Sequence, residues 1–257
     1  MAFSELTRPW RAPGHSTARG GLLLVHGFTS TPQSLRPWAE DLAGRGWDVD
    51  LPLLPGHGTT VADLASTAWQ DWYEAAKQAA LGLAEQHGRI AVAGLSMGGT
   101  LTLALGQDEQ LREHIGALVA VNPGMTLPLA ARAAGLIAPL VPTLPGIGSD
   151  LARDGVAEET YARMPLRAVA QLRRLFTRTR SRLDLVRAPL LLATSRVDHV
   201  VPPRDSDLVA AGVRGPVERL ALTRSYHLAP LDHDAPLLFE TTARFLDQHL
   251  IAVEHRR

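Results

Sequence analysis

The chain contains no cysteine, so disulfides, thiolate metal sites and a cysteine nucleophile are excluded, and serine is left as the available strong nucleophile. Lysine is nearly as scarce. Lys77 stands alone among 26 basic residues and the others are arginine, which argues against a lysine-based mechanism. Neither sign of charge is in excess, with 26 basic and 26 acidic residues, so nothing in the balance draws the chain to nucleic acid or to an anionic membrane surface. The start Met1-Ala2-Phe3-Ser4-Glu5 lacks the basic residues and apolar core of a signal peptide, and a cytoplasmic location is expected. Uninterrupted apolar runs of membrane-spanning length are also missing. Residues 127–147 come closest, but they carry Arg132 with Pro128, Pro139, Pro142 and Pro145. That stretch reads as an irregular apolar segment over a pocket, and no stable membrane insertion is expected. There is no internal repeat.

Apolar residues make up 46% of the chain, enough for a large core in a single domain. Many of them fall in short runs. Gly21–Val25, 90–93, Ile115–Val121 and 189–194 are nearly all apolar, as strands covered on both faces require, and 47–51 and Val217–Leu222 add two more. Over 32–45, Leu35, Trp38 and Leu42 recur at helical spacing behind a Ser30 or Thr31 cap and Pro32 in the first turn. Helices are also expected over 69–87, 100–106, 205–211 and 235–250. Strands alternating with helices predict a parallel sheet with helices on both faces and ligands at the carboxyl ends of its strands. Between 124 and 187 the alternation stops. That segment shows no strand-like run, only the proline-broken stretch and a helix over 166–183 with Val169, Leu172, Leu175 and Phe176 on one face and arginines on the other. The expected organisation is a surface extension over 1–19, a core of 20–123 and 188–257, and a cap inserted over 124–187.

One turn organises the rest. The run 90–93 leads through Gly94-Leu95-Ser96-Met97-Gly98-Gly99 into an apolar helix, the strand–turn–helix setting of a serine nucleophile. The serine must take a strained backbone conformation, and its neighbours need to be almost without side chain where strand and helix converge. Ser96 is the expected nucleophile. The Met97 amide, at the helix start, is an expected oxyanion donor. A serine hydroxyl needs a base, and the base needs an orienting carboxylate. In the order serine, acid, histidine, loops after two late strands supply Asp198 and His227. His199 adjoins Asp198 on an extended loop and points away from it. His233 belongs with Asp232 and Asp234 near the last helix, Asp205 reads as a first-turn helix acid, and Asp184 precedes its strand. His26, His57 and His87 lack the spacing of a metal motif, and no metal is expected. His26 is expected to fix the loop that carries Phe28, whose amide is the second expected oxyanion donor.

His26-Gly27-Phe28-Thr29, Pro55-Gly56-His57-Gly58, Gly94-Leu95-Ser96-Met97-Gly98-Gly99, Asp198-His199-Val200-Val201-Pro202 and Ser225-Tyr226-His227 together resemble the bacterial carboxylesterase and monoacylglycerol lipase group of the α/β-hydrolase superfamily. The resemblance covers roughly residues 20–250. It implies the α/β-hydrolase fold with a small cap, and ester hydrolysis without a cofactor. It further implies that Glu158, three residues before Tyr161, matches a glutamate that contacts the glycerol head group in lipase members. The expected substrate is a small-molecule ester, a monoacylglycerol or another single-acyl lipid ester, with transient lipid contact through the cap. Met125, Leu127, Leu136, Ile137, Leu140 and Ile147 are expected to form the acyl site. A thioesterase, an acyltransferase or a carbon–carbon hydrolase would use the same triad, and a binding protein would keep the fold without the chemistry. The sequence does not fix the oligomeric state.

Overall fold

The computed structural model describes residues 3–12, 18–128 and 134–251. Its strands are β1 (Trp10–Ala12), β2 (Gly21–Val25), β3 (Asp48–Leu51), β4 (Ile90–Leu95), β5 (Ile115–Val121), β6 (Thr143–Pro145), β7 (Arg163–Pro165), β8 (Leu190–Ser195) and β9 (Val217–Leu222). Its helices are α1 (Arg36–Gly44), α2 (Val61–Ser66), α3 (Trp69–His87), α4 (Met97–Gly106), α5 (Ala134–Ile137), α6 (Leu166–Arg180), α7 (Arg204–Gly212) and α8 (Ala235–Leu246).

Seven strands form one sheet in the order β1-β3-β2-β4-β5-β8-β9, parallel throughout except for β1. Both faces are covered because the central strands are apolar on both. Leu23 and Val25 of β2 and Val92 of β4 pack with Trp72, Ala76 and Ala80 of α3 and with Leu101 and Leu105 of α4. The alternate residues Leu22, Leu24, Ala91 and Ala93 face the other way, onto Trp38 and Leu42 of α1 and Leu238 and Phe245 of α8. Each leucine buried in this manner is worth about 1.5–3 kcal/mol, so the sheet is held from both sides. The mostly parallel, helix-flanked sheet is the one the alternating pattern predicts.

Two regions differ from expectation. Trp10–Ala12, inside the expected surface extension, pairs antiparallel with β3 and forms the sheet edge. The 124–187 segment, expected to hold no strand, contains β6 and β7 paired with each other as an antiparallel ribbon. Each is three residues long and ends in proline, Pro145 and Pro165, which leaves no alternation for a pattern to reveal. In the same segment α6 lies against α2, α3 and α4 with Leu172, Leu175 and Phe176 buried and its arginines outward. The tail at 254–257 and residues 129–133 fall outside the described residues.

The tightest backbone contact in the sheet lies beneath the β4–α4 turn. A Cβ added at Gly98 would stand 1.9 Å from the Val25 carbonyl oxygen, and one at Gly94 would stand 2.4 Å from the backbone of Gly98. Neither obstacle is a flexible side chain. Gly98→Ala is therefore expected to lower the unfolding free energy by about 3 kcal/mol, the upper part of the overpacking range. Urea titration checks this, and an unchanged midpoint would contradict so close an approach.

Candidate active site

Ser96 joins β4 to α4 at φ 58° and ψ −118°, a left-handed conformation that costs a non-glycine residue of order 1–3 kcal/mol. Hydrogen bonds on both sides hold it there. The Ser96 amide donates to the Val121 carbonyl at 2.9 Å, and the Thr100 amide donates to the Ser96 carbonyl at 3.0 Å. The Thr100 hydroxyl donates to the Gly124 carbonyl at 2.7 Å, which ties the turn to the loop after β5. Ser96 faces a cavity of about 270 Å³ at the carboxyl ends of the strands. The Met97 side chain is buried in the core beneath, but its amide is the first of α4 and has no acceptor within the helix.

The loop after β2 is fixed by a buried histidine pair. His26 Nε2 accepts from the Leu54 amide at 3.1 Å, so Nδ1 carries the proton and donates to the Gly27 carbonyl at 2.9 Å. Burial, and then the neighbouring His57, push the His26 pKa down to about 3, and burial pushes His57 down to about 4. Both rings are neutral in the working range, packed edge to face at 5.1 Å, and His57 Nδ1 is bonded to the Pro55 carbonyl at 3.1 Å. With the Gly27 carbonyl turned to the His26 ring, the trans peptide turns the Phe28 amide the opposite way. Gly27 and Phe28 line the same cavity as Ser96.

The loops after β8 and β9 bring Asp198 and His227 together. His227 Nδ1 lies 2.7 Å from Asp198 Oδ2, with side-chain exposures of 6% and 1%. Asp198 Oδ1 accepts from the amides of Val200 and Val201 at 2.8 and 2.7 Å, so the carboxylate is held on both oxygens. Its acceptor role fixes the His227 proton on Nδ1 and leaves Nε2 free to take another. Ser96 and His227 line one cavity; among the described residues no hydrogen bond joins them.

Four residues that the sequence reading missed hold these loops. Asn122, at φ 45° after β5, donates through Nδ2 to the His227 carbonyl at 2.9 Å and accepts from the Ser195 amide at 2.8 Å. The Ser195 hydroxyl donates to the Tyr226 carbonyl at 2.8 Å, and Asp232 accepts from the Tyr226 amide at 2.9 Å. Asp150, from the 124–187 segment, accepts on Oδ2 from the amides of His199 and His227 at 3.1 and 3.2 Å. Its Oδ1 takes His199 Nδ1 at 2.7 Å. Burial opposes the charge on Asp150, but the His199 side chain and these amides together hold its pKa below the usual range. The asparagine closing a strand was visible as a signal; nothing local marked Asp150. His199 is thus paired with Asp150 rather than with Asp198, and Asp205 clamps the amides of Met125 and Thr126 at 2.7 and 2.8 Å.

The cavity lining falls into two unlike groups. Glu158 lies by Ser30 and His227, and Asp150 binds His199 and the His227 amide, which makes a polar half; Val169 packs with Leu127 and Met164, and Leu172 and Phe176 pack with Leu127 in the neighbouring core, which makes an apolar half. Glu158 is half-buried and its Oε1 is enclosed without a partner. Burial pushes its pKa up to about 7, against the opposing pull of Ser30 and His227. The residues expected to form the acyl site are largely elsewhere. Leu127 and Ile147 line the cavity, Met125 borders a neighbouring one, Ile137 and Leu140 are exposed, and the Leu136 side chain lies outside the described residues. Val169, Leu172 and Phe176 of α6 line the cavity instead.

The profile of the serine aminopeptidase S33 family matches residues 16–234. A thermostable monoacylglycerol lipase from Bacillus sp. (strain H-257) is 40% identical over 89% of this chain and 91% of its own. A carboxylesterase from Bacillus subtilis (strain 168) is 24% identical over 92% and 97%. A solved structure from the work on LipS and LipT, two metagenome-derived lipolytic enzymes, superimposes with a TM-score of 0.91 at 34% identity, covering 96% of this chain and 100% of its own. With that span and that backbone agreement, the chain belongs to the serine aminopeptidase S33 family of α/β hydrolases.

Proposed function

We propose that the chain is a cofactor-independent carboxylic ester hydrolase that acts on monoacylglycerols or other single-acyl lipid esters through an acyl-enzyme on Ser96. The observation that carries the reading is the 2.7 Å Asp198–His227 pair, with His227 lining the same cavity as a strained, glycine-flanked serine. The named activities of the Bacillus relatives, a monoacylglycerol lipase and a carboxylesterase, agree with it.

In this reading His227 Nε2 takes the Ser96 proton as Oγ bonds to the ester carbonyl carbon. The carbonyl electron pair moves to oxygen, where the amides of Phe28 and Met97 receive it; a single such donor is typically worth about 10²–10³ in rate. The tetrahedral adduct collapses, the bond to the alkoxy oxygen breaks, and His227 returns its proton to the departing alcohol. Water then attacks the acyl-enzyme with His227 as base, the Ser96 oxygen leaves with the returned proton, and the acid is released. Asp198 orients the imidazole and balances its charge while it is protonated. Glu158, whose enclosed oxygen lacks a donor, takes the head-group hydroxyls of a glycerol ester. Among the described residues no helix is long and apolar enough to cross a membrane. Leu140, Val141 and Ile147 of the 124–187 segment are nonetheless exposed, Ile147 among the residues that line the cavity, and they make the transient lipid contact in this reading.

Ser96→Ala is expected to cut p-nitrophenyl ester turnover by about 10⁴-fold or more while the protein stays folded, because the triad's other members cannot act without the nucleophile. Wild-type rates in that variant would sink the assignment. A second expectation concerns pH. Glu158 passes from carboxylic acid to carboxylate as pH rises through about 7, and the carboxylate accepts more strongly from hydroxyls. The preference for a monoacylglycerol over an alkyl ester of the same acid should rise across that range. The ratio cancels any pH effect on the chemical steps, which both esters share. Glu158→Gln should flatten the ratio, and a pH-dependent ratio retained in the variant would remove Glu158 from head-group binding. A carboxyl with a raised folded pKa loses stability between its ordinary range and about 7, so the variant's stability relative to wild type should climb over that interval.

A further inference from the structure

We infer that Phe176 is the end wall of the acyl half of the cavity and sets the upper limit on the acyl chains that fit, an inference that rests on the ester hydrolase reading. The polar half holds Glu158 and His227, so a leaving alcohol belongs there and the acyl chain belongs among Leu127, Val169, Leu172 and Phe176. On the far side of that wall is a second cavity of about 240 Å³, bordered by Met125, Arg173, Thr177 and Arg180. Thr126, Leu127 and Phe176 line both cavities and form the partition between them.

The partition has a fixed part and a replaceable part. The chain at Met125 and Thr126 is pinned by Asp205, which accepts from both amides and from the Thr126 hydroxyl at 2.8 Å. The Phe176 ring is a single side chain on α6, 4% exposed and seated on Gly124, where an added Cβ would fall 2.4 Å from Cζ. Gly124 is in turn bonded to the Ser96 turn through Thr100. Removing the ring therefore opens the wall without loosening the loop behind it. The space gained is nearly equal to the original cavity, and arginine stems on the far side accept alkyl chain while their guanidinium groups stay in water.

The test compares wild type, Phe176→Ala and the milder Phe176→Leu on p-nitrophenyl esters from butyrate to palmitate, with calorimetric binding of the matching free fatty acids. Accommodating even one further methylene in an apolar pocket is worth about tenfold or more, so Phe176→Ala should raise kcat/KM for palmitate relative to octanoate by at least that factor. Palmitate binding should tighten in parallel, and Phe176→Leu should fall between. Adding Thr177→Phe to Phe176→Ala, which refills the second cavity, should return the profile toward wild type. Parallel chain-length profiles in wild type and both single variants would overturn the inference, and Phe176→Leu decides it if the alanine variant does not fold. Failure of the ester hydrolase reading looks different: no ester is turned over by any variant, and fatty-acid binding alone then shows whether Phe176 limits chain length.

Discussion

The carbonyl oxygen of Val25 lies where a methyl group on Gly98 would have to be, 1.9 Å away, and the active-site geometry depends on that approach. It brings the end of β2 against the start of α4, so the loop that follows one and the helix that follows the other share one small region. Phe28 follows the first and Met97 opens the second, and a wider separation of strand and helix would work against the proposed sharing of one oxygen by their two amides. Between β4 and α4, directly above this contact, Ser96 stands at φ 58°. Strain of about 1–3 kcal/mol persists only where the surroundings over-determine it. Here the Val121 carbonyl and the Thr100 amide fix both sides of the residue.

A second layer of order comes from polar groups that serve loops other than their own. Asn122 follows β5 yet holds the His227 carbonyl; Ser195 ends β8 yet holds Tyr226; Asp150 belongs to the 124–187 segment yet receives the His199 and His227 amides. Buried networks whose members are all partnered are rigid, because each bond lost leaves a desolvated group behind. The imidazole of His227 is thus oriented by more than Asp198. The 124–187 segment is also tied to the His227 loop by the Asp150 side chain rather than by apolar packing alone, so its placement and that of His227 are linked.

How much of this was legible in the sequence depended on range. Gly21–Val25 and Ile115–Val121 declare themselves because burial on both faces needs apolar residues at every position, a local demand. The Gly94–Ser96–Gly98 turn declares itself for the same reason, since the steric requirement falls on adjacent residues. Loop order alone was enough to pair Asp198 with His227. Trp10–Ala12, β6 and β7 were not legible: three-residue strands have no period, and their pairing partners are remote. The acyl site went astray for a related reason. Leu140 is as apolar as Leu172, but one is 86% exposed and the other buried, and composition carries no information about which side of the segment faces the cavity. The α6 stripe of Val169, Leu172 and Phe176 was visible as a face; what it faced was decided by tertiary packing.

The unlike halves of the cavity bear on why a carboxylate with an enclosed, unpartnered oxygen is tolerated beside His227 at all. A buried acceptor without a donor costs free energy, and a folded protein ordinarily removes such groups or pairs them. Glu158 is left with its amide bonded to Ser149 and its Oε1 bare, and its elevated pKa is the electrostatic expression of the same deficit. An alkyl alcohol entering the polar half would leave that oxygen as it was. A vicinal diol would bring donors to it, and the penalty carried by the free protein would then be relieved only in the complex. Under the proposed reading, discrimination against a simple ester would come chiefly from the oxygen that the simple ester leaves unsatisfied, which is the larger of the two sides of hydrogen-bond energetics. An acyl chain in the apolar half would follow the opposite rule, in which each methylene adds a similar increment until a wall is reached, so under the proposed reading head-group choice and chain-length choice would rest on separate physics.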